Sequence, residues 1–206
     1  MTTVTRPDGQ KIVTSYEANG RPDFVTLPTG VVDVAYDAAT GRVSGVSAPG
    51  GFASAFTYDG PLLTGITTTG PASGTLGFTY DADLRLSSRT LAGGPTVELG
   101  YDADGLLTQA GPLTLTRHAA SGLLETTSLG TTTDSRTRTS FAELDVYTAE
   151  VGGTPAYAYD LDRDVAGRIT RKTETLGGVI AVWEYAYHPE RGWLTEAKKD
   201  GVVVTT

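Results

Sequence analysis

Few side chains in this sequence are equipped for chemistry, and most of those are aspartates, arginines and tyrosines at regular spacing. Carboxylates fall close together at Asp81/Asp83, at Asp102/Asp104 and through Asp160-Leu161-Asp162-Arg163-Asp164. Such groups are the raw material of a calcium site or of paired-carboxylate acid–base catalysis. Calcium needs about six to eight converging oxygens from one defined loop, and no segment has that ligand spacing. The aspartates recur instead where a turn needs a carboxylate to accept a backbone amide. His118 and His188 are the two histidines, and neither has a serine or carboxylate at the spacing of a nucleophile–base pair. Zero cysteines remove disulfides, thiol nucleophiles and thiolate metal sites together. The tyrosines could stack on sugar rings, but their regular placement already accounts for them as cross-strand packing. Trp183 and Trp193 read as packing residues of the last repeats. Glycine pairs such as Gly93-Gly94 precede strands, not helices, and are poor phosphate cradles. The expectation is no enzyme, no cofactor and no metal.

What orders these residues is a recurring phrase of tyrosine, aspartate, small residues, glycine, then arginine or an aliphatic. It reads Tyr36-Asp37-Ala38-Ala39-Thr40-Gly41-Arg42-Val43 and Tyr101-Asp102-Ala103-Asp104-Gly105-Leu106-Leu107. Tyr80-Asp81-Ala82-Asp83-Leu84-Arg85-Leu86 is a third copy, with leucine in the glycine slot. Degenerate copies start at Tyr16, Tyr58 (with Asp59), Arg117, Phe141, Arg163 and Tyr187. The starts at 16, 36, 58, 80, 101, 117, 141, 163 and 187 are separated by 16 to 24 residues. A period of this size signals stacked supersecondary units that cannot bury an apolar face alone. The expected organisation is one continuous repeat domain over residues 1–206.

Each unit reads as a β-hairpin. Phe52 to Tyr58 alternates, Asp59-Gly60-Pro61 breaks the run, and Leu62 to Ile66 resumes it. The aspartate suits the first turn position, and Gly20, Gly41, Gly105, Gly122, Gly167 and Gly192 suit the position of positive φ. Return strands then begin Arg42-Val43-Ser44, Arg85-Leu86-Ser87 and Arg168-Ile169-Thr170. Looser glycine- and proline-rich turns join successive hairpins. The segment from Phe141 to Glu150 could pass for a helix. It is read as another hairpin, with Phe141 in the tyrosine slot and Asp145 in the glycine slot. The predicted fold is all-β, an antiparallel meander of about nine hairpins in a curved ribbon or partial β-spiral shell. One face should carry the tyrosines and aliphatics.

Bulk properties narrow the partners. The net charge of −8 leaves no electrostatic footprint for nucleic acid or anionic lipid. No apolar run approaches the roughly 20 residues that span a bilayer. Met1 to Pro7 lacks the apolar segment of a secretion signal.

The phrase resembles the YD repeat of the Rhs family, roughly Tyr-x-Tyr-Asp-x-x-Gly-Arg-hydrophobic-Thr, over about residues 10 to 206. Tyr36-Asp37 through Gly41-Arg42-Val43-Ser44 matches best, and Asp164 through Gly167-Arg168-Ile169-Thr170 is close despite Arg163 in the tyrosine slot. The resemblance implies a strand ribbon wound into a hollow shell, as around the toxic segment of Rhs and Tc toxins or in the teneurin barrel. It implies a structural wall of a secreted or cell-surface protein. The partners would be the rest of a larger Rhs-type polypeptide or its enclosed toxin segment, or further copies in a homo-oligomer. The family's Asp-Pro-x-Gly segment and self-cleaving aspartates have no counterpart here, so a repeat-only segment is expected. The rival reading is a carbohydrate- or protein-binding module using the tyrosine-bearing face.

Overall fold

A computed structural model describes residues 1–205. Strands form wherever the chain alternates or carries β-branched residues, and every interruption but the one at residues 139–143 is a turn containing Gly, Pro, Asp or Asn. The first ten strands are β1 (Thr2–Thr5), β2 (Lys11–Tyr16), β3 (Pro22–Leu27), β4 (Gly30–Tyr36), β5 (Val43–Ala48), β6 (Phe52–Asp59), β7 (Leu62–Thr69), β8 (Gly74–Tyr80), β9 (Leu86–Leu91) and β10 (Thr96–Tyr101). There follow β11 (Leu107–Ala110), β12 (Leu113–Arg117), β13 (Leu124–Leu129), β14 (Thr132–Arg138), β15 (Leu144–Val151), β16 (Thr154–Arg163), β17 (Ile169–Leu176), β18 (Val179–Tyr187), β19 (Leu194–Lys199) and β20 (Val202–Thr205). Each pairs antiparallel with its sequence neighbour, giving one open, unclosed sheet of twenty strands, as the all-β reading predicts. There is no helix among the described residues, so none is long and apolar enough to cross a membrane.

The chain divides into two compact units, one ending at Glu98 and one beginning at Leu99. The boundary falls inside β10. Its residues Thr96 to Glu98 pair with β9, and Leu99 to Tyr101 pair with β11.

The two ends of each strand differ in turn chemistry. At one end sit the tight connecting turns. Gly152-Gly153, Gly177-Gly178 and Asp200-Gly201 have positive φ at both central positions, the backbone that suits the natural twist of a hairpin. At the other end sit the Tyr-Asp turns. Each begins with a register shift, just before residues 16, 36, 58, 80, 101, 117, 138, 163 and 187. In most repeats the extra residue lies on the return strand, two positions after the arginine slot: Ser44, Thr64, Ser87, Thr108, Thr170 and Thr195. These are β-bulges, which re-aim side chains and sharpen the twist. The threonine of the phrase is therefore the bulged residue.

These shifts move one repeat. The seventh turn begins at Arg138, not Phe141. Thr139 fills the aspartate position, with its N–H donating to Glu143 O at 2.9 Å, and Ala142 takes the glycine position at φ 64°. Phe141 is 85% exposed at the turn tip, and Asp145 lies within β15. The segment lacked both signature residues, so alignment by aromatic residue slipped by three. A tenth turn, Arg6 to Gln10 with Gly9 at φ 80°, precedes the first expected one.

The sheet is a single layer with almost no core. Leu161 and Ala197 are its buried apolar residues among those described, and no side chain is fully enclosed. The accessible surface is 13,027 Å² for 21.5 kDa. A compact monomer of that mass would expose about 9,200 Å².

Candidate functional site

The repeat residues meet at the Tyr-Asp turns. Asp81 Oδ1 accepts from Asp83 N and Arg85 N, both at 2.9 Å, while Oδ2 takes Arg85 Nε at 2.8 Å. Asp164 repeats the pattern with Ala166 N at 2.9 Å, Arg168 N at 3.0 Å and Arg168 Nε at 2.7 Å. Asp102 holds Asp104 N and Leu106 N, and Asp37 holds Ala39 N, Thr40 N and the Thr40 hydroxyl. The Thr40 hydroxyl and amide hold the Asp37 carboxyl below its ordinary value. The Arg85 amide does so for Asp81, and the Arg168 side chain for Asp164. Each of these carboxylates closes its own turn. Asp59 differs, because its turn is one residue shorter than those of Asp81, Asp102 and Asp164, and Asp59 pairs in register with Leu62. At His118 and His188 the ring Nδ1 replaces the carboxylate, accepting from Ala120 N at 3.3 Å and from Glu190 N at 3.2 Å. The acidic pairs do not converge, and no metal-holding cluster occurs among the described residues.

Gly41 shows why the glycine slot exists. It has φ 71°, and a Cβ there would lie 2.9 Å from Arg21 Nη1. That guanidinium donates to Gly41 O at 2.8 Å, salt-bridges Glu17 at 2.7 Å and lies 4.1 Å from the Tyr36 ring centre. Arg42 over Tyr58 and Arg168 over Tyr187 repeat the stacking at 5.7 and 4.7 Å. Each such contact contributes about 0.5–1 kcal/mol at a half-exposed site.

The tyrosines do a second job. Hairpins joined by a connecting turn splay apart at the opposite end, and the slot tyrosine bridges that wedge. Tyr36 donates to Pro22 O, Tyr58 to Val43 O, Tyr80 to Leu63 O and Tyr187 to Ile169 O, at 2.7 to 2.9 Å. Arginine substitutes without loss of function. Arg117 Nε reaches Leu107 O at 3.0 Å, and Arg163 Nη2 reaches Leu144 O at 2.9 Å. The slot therefore requires a long donor, not an aromatic ring, which alignment by tyrosine does not reveal. Tyr16 stands 41% exposed at its slot.

The second unit adds a row that the repeat did not announce. Arg136, Tyr147, Tyr159 and Glu174 are directly opposite one another across β14 to β17. Tyr147 stacks on Tyr159 at 5.4 Å, and Tyr157 meets Tyr159 edge-on at 5.9 Å. Tyr157 Oη donates to Glu174 at 2.6 Å, and Trp183 Nε1 donates to the other oxygen at 3.1 Å. The hydrogen bond to Glu174, then burial, pushes the Tyr157 hydroxyl up to about 12. The same bond, with Lys172, holds Glu174 below its ordinary value. Lys172 and Lys199 flank the Trp183 ring at 5.5 and 5.2 Å. The rings of Tyr36, Tyr147, Tyr159, Tyr187 and Trp183 thus each lie against a neighbouring ring or cation.

The signature of the teneurin YD-shell family matches residues 1–204. The chain belongs to that family. No curated protein matches it in sequence. Among solved structures it is similar to TcdB2-TccC3, at TM-score 0.57 and 15% identity. It is equally similar to the Photorhabdus luminescens Tc holotoxin pore, at TM-score 0.56 and 15% identity. The match covers 95% of this chain and 13% of each of those chains. Likeness at that identity establishes a shared fold, the YD-shell strand ribbon.

Proposed function

We propose that the chain is a non-catalytic wall segment of an Rhs-like encapsulating shell, working as one uninterrupted array over residues 1–206. The observation that carries this reading is a single-layer sheet whose turn aspartates and slot tyrosines are spent on closing turns and holding hairpins to one another. Such a layer excludes solvent only when something covers it. Leu176, Val179 and Ile180 beside one connecting turn, and Val202 to Val204 in β20, stand exposed as the surface that asks for cover. The partners are then the remainder of a larger Rhs-type polypeptide, the segment that it encloses, or further copies of this chain. The setting is secreted or at a cell surface, in keeping with the Tc toxins to which the fold is similar.

Size exclusion with absolute mass, run beside a broad hydrolase and glycosidase screen, tests it. A wall segment associates beyond the 21.5 kDa monomer or binds apolar dye strongly as a monomer, and turns over nothing. A compact, dye-silent monomer, or turnover abolished by substituting one carboxylate, refutes it.

A further inference from the structure

Two departures from the repeat rule face each other across one wedge. The first is Arg138 at the end of β14. Every other arginine in a tyrosine slot reaches the carbonyl at the start of the preceding strand, but Arg138 bonds only Ala142 O of its own turn, at 3.2 Å. Its Nε, like that of Arg163, is sealed from water with no hydrogen-bond acceptor, but Arg163 Nε has the Glu143 carboxylate 3.6 Å away and Arg138 has no ion pair to offset the cost. The second is Glu125, which occupies the bulge position that Ser or Thr fills in most other repeats. In four of those repeats the hydroxyl bonds back across the hairpin, Thr64 to the Thr57 hydroxyl, Ser87 with the Thr79 hydroxyl, Thr170 to Asp162 O and Thr195 to Ala186 O. Glu125 instead carries a carboxylate into the opening.

Between them lies a cleft of about 450 Å³, also lined by His118, Ser121, Thr137 and Ser140. Clefts recur along this edge, with about 390 Å³ beside Tyr58 and about 490 Å³ beside Arg163. There, however, the slot residues are committed. Tyr58 is bound to Val43 O, and Arg163 to two carbonyls and Glu143. The neighbouring Arg136 is held by both oxygens of Asp134. Among the described residues, neither Arg138 nor Glu125 is ion-paired. The cleft therefore presents one unspent cation, one unspent anion and several hydroxyls in a volume suited to a small molecule.

We propose that this cleft binds a small ligand carrying a carboxylate at one end and hydrogen-bond donors at the other. The carboxylate pairs with Arg138, whose planar fork matches it bidentately once the side chain swings toward the opening. The donors pair with Glu125. A sugar acid and a peptide C-terminus with its nearby amine share this chemistry.

The test is an NMR titration of the 206-residue chain with glucuronate, glycylglycine and neutral glucose. Saturable shifts confined to residues near 118–125 and 136–142 are expected with one or both acids and not with glucose. Arg138→Gln should weaken binding at least tenfold with the melting temperature kept. Glu125→Gln should weaken glycylglycine more than glucuronate if an amine is read, and both alike if hydroxyls are. Arg138→Tyr, supplying the clamp used by Tyr80, should abolish binding while raising the melting temperature. An equal response to glucose, no saturable shift with either acid, or binding untouched by Arg138→Gln would overturn the site.

Discussion

The units before and after the middle of β10 use the same turns but hold their sheet faces differently. In the first, two of the facing rows are small, while Phe56, Ile66, Leu76 and Leu91 form an aliphatic and aromatic row across β6 to β9. Ala35, Gly45, Ala55, Thr67 and Thr75 form one row, and Thr57, Gly65, Gly77, Thr90 and Thr96 another. Along the small rows the sideways contacts are hydroxyl pairs such as Thr67–Thr75 and Thr90–Thr96, and the clamps of Tyr36, Tyr58 and Tyr80 join the hairpins at the turn ends. In the second, β15 to β18 are longer and carry rings on one face and alternating charge on the other. Asp162, Arg171, Glu184 and Lys198 stand opposite one another in order of sign. Opposite charges so placed contribute roughly 0.2–1 kcal/mol per pair. One repeat thus supports two solutions to a missing core: an aliphatic row beside small-residue rows, clamped at the turns, or faces knit by rings and alternating charge.

Substitutions can break this contrast. The largest effect is expected from Tyr159→Ala, which removes the ring between Tyr147 and Tyr157 and should cost about 3 kcal/mol. Hydrogen exchange should speed up in β15 to β17 and stay unchanged in β3 to β8. Equal loosening of both regions would erase the distinction. Next comes Gly41→Val, at about 2 kcal/mol, since a β-branched residue resists φ 71° and displaces Arg21. Leu84→Gly should do the reverse, because Leu84 already bears the strain at φ 62°, and should raise stability by about 1 kcal/mol. Tyr80→Phe keeps the ring and deletes the clamp. It should cost about 1 kcal/mol, read as a lower melting temperature.

The smallest effects separate by pH. Asp37, Asp81 and Asp164 have lowered folded values, so their turns hold fully above about pH 4 and weaken as pH falls further. Tyr157 is shifted the other way. Its contribution is complete below about pH 10 and fades as pH rises toward its folded value near 12. Acid should therefore loosen Tyr-Asp turns in both units, whereas alkali should release the Tyr157–Glu174 bond in the second, visible in its near-ultraviolet dichroism.

The period and the turns were legible in the sequence, because aspartate and glycine have strong local reasons to sit where they do. Asp81, Asp102, Asp164 and Gly41 behave as their residue types dictate. Arg138 was not legible. Its repeat lacks tyrosine, aspartate and glycine at once, and only the bulge before it marks the slot. The aromatic row was hidden for a different reason. Tyr147 and Tyr159 become neighbours through strand register, which bulges reset in every hairpin and which single-strand patterning cannot count. Glu125 and Arg138 looked like ordinary surface charges until the rule they break was visible.

Pairing only between sequence neighbours has a kinetic consequence. No strand must wait for a distant partner, so the entropy of closing each loop stays small and nearly constant along the chain. Assembly can start at any hairpin and spread outward one strand at a time. A chain delivered gradually, from a ribosome or through a narrow pore, could set into its final form in the order in which it emerges.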